Sequence, residues 1–170
     1  MRIVFSRAEA QAIVSEELNS LKARIIDNMR NAGAVASGRT IASLKVVPTE
    51  TGSALVSDER MPFGTLETGR RGGRIPAGFT AIILEWMHSK GISAQVSGNR
   101  SQESADRSLA YLISRKIARE GTSLFRRGGR NTIYSQEIPK TVAAVEKRIG
   151  ALFDAYVEES IKLNNETIGG

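Results

Sequence analysis

A chain of 170 residues, 41% of them hydrophobic and 25% charged, is long enough for one globular domain with a buried core. It has no cysteine, which excludes disulfides, thiolate catalysis and cysteine-ligated metal sites. The net charge is +6, and much of the excess lies in two arginine-glycine runs, Gly69 to Arg74 and Arg126 to Arg130. No apolar run approaches the roughly 20 residues of a membrane span, so we expect no membrane contact.

The first predicted element is a long helix from about Arg7 to Asn31. Ser6 is a suitable N-cap, because its hydroxyl can accept from a free amide of the first turn, and Gly33 ends the helix. Apolar residues recur at three- and four-residue steps, which predicts one buried stripe. Its members are Val14, Leu18, Leu21, Ile25 and Met29.

A short helical turn comes next, with Ser37 as its predicted cap. Its apolar edge is expected to face inward through Thr40, Ile41 and Leu44.

A β-hairpin is predicted after this turn. Its first strand begins at Lys45 and ends near Pro48, because proline removes a backbone donor. Thr51-Gly52 is the predicted turn, with a positive φ at Gly52, and residues 53–57 return antiparallel. A two-stranded hairpin is marginally stable in water, so it must pack on helices or pair with another subunit.

A short helix or irregular turn and two longer helices are predicted in the middle of the chain. Met61 to Thr68 is expected to form a short helix or irregular turn that brings Glu67 beside the first arginine run. A helix from about Ala77 to Lys90 has a predicted buried face of Phe79, Ile82, Ile83 and Trp86. Another begins near Gln102 and ends at Gly121, with a predicted buried stripe of Leu109, Leu112, Ile113 and Ile117.

The last predicted helix begins near Gln136 and runs towards Leu163. Its apolar seam comprises Ile138, Val142, Val145, Ile149, Leu152 and Tyr156. This seam could close on the first helix or on a neighbouring subunit, and the pattern leaves both open. Residues 164–170 are expected to form a flexible tail. Without a linker or a large repeat, we predict a single α+β domain over residues 1–170: long N- and C-terminal helices packed with a β-hairpin or small antiparallel sheet and two further helices.

No catalytic or ligand-binding constellation is found in the sequence. His88 is the only histidine, and no carboxylates are grouped around it. There is no G-x-S-x-G elbow, no P-loop and no dinucleotide fingerprint. We therefore predict that the protein is not an enzyme and has no catalytic, cofactor-binding or metal-binding residues and no cofactor.

The arginine runs are the most informative polar features. Guanidinium groups bind phosphates and carboxylates bidentately. The runs could be solvated loops, could bind acidic surfaces of neighbouring subunits, or could face nucleic acid. The candidate subunit-contact or DNA-facing residues are Arg70, Arg71, Arg74, Arg126, Arg127 and Arg130, together with Glu67.

With these elements in order, the chain resembles the tail-completion or neck (head-tail joining) proteins of long-tailed bacteriophages. In that family a long first helix precedes a Gly-x-hydrophobic-x-Ser-hydrophobic turn, a hairpin, and an aromatic segment leading to a Glu-x-Gly-Thr motif. The matching positions for the turn are Gly38, Ile41, Ser43 and Leu44, with two residues between Gly38 and Ile41 where the family pattern has one. Those for the later motif are Phe63, Glu67 and Gly69. Two departures are Met61-Pro62-Phe63 in place of the usual tyrosine-alanine start and Arg70 in place of threonine.

The resemblance implies a structural virion protein, made in the bacterial host cytoplasm and placed in the neck or tail of the virion. It would form a homo-oligomeric ring between the portal-side connector proteins and the tail tube or tail terminator proteins, with possible contact to passing double-stranded DNA. The hairpin would join adjacent subunits through Val46, Val47, Leu55 and Val56. The alternative function is a basic nucleic-acid-binding protein that uses both arginine-glycine loops.

Overall fold

Helices dominate the computed structural model, which describes residues 6–57, 63–96 and 98–168. The elements, in chain order, are α1 (Arg7–Asn31), α2 (Arg39–Ser43), β1 (Lys45–Thr49), β2 (Gly52–Val56), α3 (Thr65–Thr68), α4 (Phe79–Ser89), α5 (Gln102–Glu120), α6 (Ser123–Arg126) and α7 (Glu137–Ile168). The predicted α+β fold, with long terminal helices and a hairpin, is confirmed.

The two long helices, α1 and α7, pack antiparallel. Arg148 of α7 binds Glu17 at 2.9 Å, and seven residues further along α1, Arg24 donates to Thr141 at 2.7 Å. Because the partner number falls as the α1 number rises, the helices run in opposite directions. Ser6 caps α1 as predicted, accepting from the Glu9 amide at 3.2 Å. Helix α7 therefore packs on α1 within the chain, but Ile138 and Val142 of the predicted seam are 46% and 49% exposed.

The first hydrophobic core lies between α1, the hairpin and the start of α7. Its buried members are Leu21, Ile25, Met29, Leu44 and Ile133. The α1 stripe is therefore confirmed for Leu21, Ile25 and Met29, while Leu18 is only partly buried and Val14 lies outside this core. Ile133 joins the core from the segment before α7. Both strands lie on α1, which supplies the support that an isolated hairpin lacks.

Three sequence predictions around the hairpin are wrong in detail. The short helix α2 has Gly38, not Ser37, at its N-cap, in a left-handed conformation (φ 76°) that glycine adopts without steric cost. The strand register pairs Thr49 with Gly52, so the turn residues are Glu50 and Thr51. Gly52 starts β2 and does not have a positive φ.

A second core, which shares no buried residue with the first, joins α4 to α5. Its buried members are Phe79, Ile83, Met87 and Ala110. Ile82 and Trp86, predicted to be buried, are 36% and 39% exposed, because the face of α4 buried on α5 is a narrow stripe at four-residue steps.

On α5, the prediction for Leu112 is wrong: it is 60% exposed. Two residues along a helix are separated by about 200°, so Leu112 points away from the buried Ala110.

The chain passes twice between the two cores, and each passage carries an arginine-glycine run. It leaves the first core after α3 through residues 69–78 and returns after α5 through residues 121–132. The short helix α6 lies in the second passage and was not predicted. At the other end of the chain, α7 continues through Ile168, so residues 164–168 of the predicted tail are helical.

Candidate functional site

The two arginine runs, far apart in sequence, lie side by side. The Arg70 carbonyl accepts from the Thr122 amide at 2.9 Å, and the Thr122 hydroxyl accepts from the Arg70 amide at 3.0 Å. The Gly73 amide donates to the Ala118 carbonyl at 2.7 Å, and the Arg130 amide to the Glu67 carbonyl at 2.8 Å. We call these joined passages, residues 67–74 and 118–130, the arginine joint.

Glycine is required in the arginine joint because the backbones approach closely. A Cβ at Gly69 would lie 2.5 Å from the Phe125 amide nitrogen, and one at Gly121 would lie 2.9 Å from the Arg70 carbonyl oxygen. Both residues combine a φ near +70° to +80° with an extended ψ, a region that is essentially restricted to glycine. Glycine at these two positions therefore allows the backbones of the two passages to come into close contact.

Glu67 is the buried centre of the arginine joint, with only 3% of its surface exposed. Its Oε1 accepts from the amides of Ile133, Tyr134 and Ser135 at 2.8, 2.7 and 3.1 Å, and its Oε2 accepts from the Ser135 hydroxyl. We call this set the Glu67 clasp. Burial raises the pKa of Glu67, but the four hydrogen bonds to its charged form outweigh burial and hold the pKa below its ordinary value.

The Glu67 clasp holds the segment that leads into α7, and it leaves the Glu67 carboxylate unavailable for a surface contact. The three donating amides lie in the segment that leads into α7. Sequence analysis placed Glu67 beside the arginines as a subunit-contact or DNA-facing residue; its backbone does adjoin them, but its carboxylate oxygens are occupied within the chain. Stabilising a buried carboxylate requires such donors.

Three of the six candidate arginines have structural partners. The Arg70 guanidinium lies 4.9 Å above the Phe79 ring and donates to the Arg74 carbonyl at 2.8 Å. Arg126 forms an ion pair with Glu120 at 2.8 Å. Arg130 is half-buried and donates to the Ala32 carbonyl at 3.3 Å. These three side chains stabilise the arginine joint and its connection to α1.

The other three candidate arginines are exposed. Arg71, Arg74 and Arg127 form no side-chain hydrogen bond or ion pair with any residue in the described ranges. We call them the free arginines. Their backbones are held by the arginine joint, so the guanidinium groups project from a fixed base.

The four residues predicted to make hairpin contacts divide between two faces. Val46 pairs with Leu55, and directly paired residues share a face of the sheet. Leu55 packs against the first core, so this face is directed towards α1. Val47 and Val56 lie on the opposite face, where Val56 is 41% exposed. The Leu55 side chain already packs within the chain, so a subunit contact at this residue would use its backbone groups.

The exposed side chains of α4 line an open groove of about 380 Å³. Trp86 and Ile82 form one side of it, and Ile41 and Phe63 belong to the other parts of its lining. Glu85 pairs with Arg39 across the groove at 2.9 Å. This groove explains why Ile82 and Trp86 are not in the second core.

The described residues contain no cluster of three or more potential metal-ligating side chains of His, Cys, Asp or Glu type. His88 lies 3.8 Å from Asp106, whose carboxylate accepts from the Ala94 amide at 2.7 Å and from the Gln102 amide group at 3.0 Å. The backbone hydrogen bond from Ala94 is the main cause of the lowered pKa of Asp106. Asp106 thus joins α5 to the segment that precedes it.

Within the described ranges, no helix combines the length and the apolar character that crossing a bilayer requires. Comparisons with protein-family models, curated proteins and solved structures found no match to this chain. The resemblance to phage neck proteins thus rests on the sequence motifs alone and stays a prediction.

Sequence analysis missed the partners of Glu67. The donors lie 66 to 68 residues away, in a segment without any motif. Glu67 stands between Leu66 and the first arginine run, and these neighbours do not indicate that it is buried. A carboxylate there requires several donors if it is buried, although the sequence does not say which ones.

Proposed function

We propose that this chain is a structural virion protein of a tailed bacteriophage, a neck or tail-completion subunit that forms a homo-oligomeric ring. The ring would join the portal-side connector to the tail tube or tail terminator proteins. The proposal combines the sequence resemblance with one structural observation: the hairpin forms a two-stranded sheet whose outer edges have no partner strand among the described residues. Such edges are templates for pairing with another chain.

The backbone groups at each edge follow from the register. A two-residue turn closes on Thr49 and Gly52 as a hydrogen-bonded pair, and hydrogen-bonded and non-hydrogen-bonded pairs then alternate along the ladder. The outward-facing groups therefore belong to Val46 and Pro48 on β1 and to Ser53 and Leu55 on β2. No backbone hydrogen bond from the described residues reaches them.

The two edges differ in what they offer to a neighbouring subunit. On β2, Ser53 and Leu55 each present an N–H and a C=O, so this edge is complete. On β1, Pro48 has no N–H, and only Val46 offers both groups. The β2 edge is therefore the better site for adding a strand.

A ring requires a head-to-tail contact, in which two different surfaces meet. Pairing of β2 with β1 of the next subunit satisfies that requirement and repeats around the ring. Pairing of β2 with a second β2 would instead produce a two-fold dimer and stop there. The number of subunits in the assembly thus distinguishes the two arrangements.

Exposed apolar residues on α7 provide a second surface for subunit contact. Ile138, Val142 and Phe153 are 46%, 49% and 53% exposed. At 100° per residue they fall within an arc of about 60° on the helix, beside the side that packs on α1. An apolar strip of this kind is typical of protein interfaces.

Light scattering over a concentration series, with electron microscopy of any large species, tests the proposal. We expect rings with a central hole from the wild-type chain. The variant Ser53→Pro removes one outward N–H without breaking the hydrogen bonds inside the hairpin, and it should reduce assembly. Ser53→Ala keeps the N–H and is the matched control. A strict dimer, or equal assembly of both variants, would contradict ring formation through β2.

A further inference from the structure

Positive charge is concentrated in a small part of the molecule. Residues 67–74 and 115–130 hold nine of the 24 lysines and arginines but two of the 18 acidic residues, Glu67 and Glu120. These segments therefore have a net charge of +7, and the remaining chain, with 15 basic and 16 acidic residues, is close to neutral. The whole excess charge of the protein lies at the arginine joint and the last turns of α5.

The two acidic residues do little to neutralise this surface. Glu67 is buried in the clasp, and Glu120 pairs with Arg119 at 2.6 Å and with Arg126 at 2.8 Å. The hydrogen bond from Arg119 is the main reason why the pKa of Glu120 is lowered, so Glu120 stays ionised and engaged. The free arginines Arg71, Arg74 and Arg127 keep their full charge for an external partner.

The surroundings of the free arginines favour phosphate over a protein surface. They are bordered by Gly72, Gly73 and Gly128, and the joint exposes one large hydrophobic side chain, Phe125, at 39%. Stable protein interfaces have an apolar core inside a polar rim. Binding that rests on guanidinium groups alone is typical of contacts to a nucleic-acid backbone, where arginines neutralise phosphates and release counterions.

The same surroundings favour a duplex over a single strand. Single-strand binding uses aromatic side chains on which bases stack. Phe125 is the one aromatic side chain within the joint. It is 39% exposed and lies close to Gly121, so the joint offers a single ring and not a series of stacking positions. Tyr111 on α5 lies under the Arg115 guanidinium, at 5.8 Å.

We infer that the free arginines Arg71, Arg74 and Arg127 form a binding surface for the phosphate backbone of double-stranded DNA, which they contact without reading its sequence. The surface exists in the monomer, so the inference does not depend on ring assembly. The paired arginines hold the joint, and the free ones contact phosphate. For B-DNA each phosphate contact contributes about −0.9 to the slope of log affinity against log salt, so three arginines contribute about −2.7.

The test is fluorescence anisotropy of a labelled duplex of arbitrary sequence, titrated with the full chain at about 50 mM to about 200 mM salt, the range over which phosphate contacts weaken measurably. We expect a dissociation constant in the micromolar range at the lower salt, and it should rise steeply as the salt concentration increases. The triple variant Arg71→Ala, Arg74→Ala, Arg127→Ala should lose about three phosphate contacts, so its slope of log affinity against log salt should be less steep by about 2.7. Over this salt range, its loss of affinity should therefore be roughly 40-fold smaller than that of the wild type.

The matched control is Arg30→Ala, Arg107→Ala, Lys147→Ala. It removes the same charge from exposed positions on α1, α5 and α7. If the control loses as much slope as the first variant, the effect is one of net charge and the inference is wrong. Unchanged binding by the first variant would also overturn it. So would competition by polyglutamate equal to that by DNA at the same charge, because the surface would then prefer carboxylates.

Discussion

The arginine joint and the hairpin use their backbone polar groups in opposite ways. In the joint, amides and carbonyls of two distant passages bond to one another, and a buried glutamate accepts from three more amides. In the hairpin, one face packs on α1, while the outer backbone groups of Val46, Ser53 and Leu55 have no partner in the described chain.

This difference shows which backbone groups are available to another chain. Backbone groups that are satisfied internally gain no hydrogen bond from a neighbour, whereas unpaired strand edges gain hydrogen bonds when another strand adds to them. The arginine-rich sequence of the joint suggested a purely external role. Three of the six candidate arginines in fact have partners within the chain.

The largest effect is expected from Glu67→Ala. Three backbone amides would lose their acceptor in a buried setting, each at a cost of roughly 1 to 3 kcal/mol. We expect a loss of about 4 kcal/mol in the free energy of unfolding, measured by urea denaturation. A loss below about 1 kcal/mol would show that the joint does not depend on the clasp.

The second effect tests close backbone contact in the arginine joint. Gly69→Ala places a methyl group against the Phe125 amide and forces a conformation that only glycine adopts easily. We expect a loss of about 3 kcal/mol. Gly128→Ala is the control, because Gly128 also has a positive φ (85°) but faces open space. It should lose about 1 kcal/mol, the cost of the conformation alone. Equal losses would contradict a steric role of Gly69.

On the hairpin, the two faces should respond differently to truncation. Leu55→Ala removes contacts with the first core and should cost about 2 kcal/mol, whereas Val56→Ala on the opposite, exposed face should cost less than about 0.5 kcal/mol. Thermal unfolding monitored by circular dichroism compares the two. A larger cost at Val56 would reverse the assignment of the faces.

Acid should weaken the clasp. The pKa of Glu67 is lowered in the folded protein, so its contribution is complete above the ordinary value of 4.5 and is lost as pH falls through the folded pKa. Glu137, whose pKa is lowered chiefly by its hydrogen bond with Lys140, acts in the same direction. We expect stability to fall between about pH 5 and about pH 3, and to fall less in Glu67→Gln, which cannot titrate. Identical acid profiles would exclude Glu67 as a cause.

The smallest effect on stability is expected from the free arginines. Replacing Arg71, Arg74 and Arg127 with alanine removes no side-chain hydrogen bond or ion pair within the described chain and should change the free energy of unfolding by less than about 0.5 kcal/mol. Arg130→Ala, by contrast, loses the hydrogen bond to Ala32 and should cost about 1 kcal/mol or more. Similar losses in both variants would remove the distinction between supporting and free arginines.

Local signals predicted the elements better than their packing. The bounds of α1 and its Ser6 cap, and the end of α5 at Gly121, follow from residues within a few positions of one another. The α4–α5 interface was harder, because it centres on the small residues Ala110 and Ser114, which an apolar pattern does not single out. The Glu67 clasp depends on long-range contacts, and no periodicity in a single sequence encodes them.

The joined passages give the second core an unusual place in the chain. Gly73 and Ala118 are hydrogen-bonded at 2.7 Å, so residues 74–117 leave and re-enter the rest of the fold at nearly the same point. In topological terms α4 and α5 are an insertion in a domain made of α1, the hairpin and α7. An insertion with adjacent ends can change in length or be exchanged for another helical pair while the ends of the host domain stay where they are.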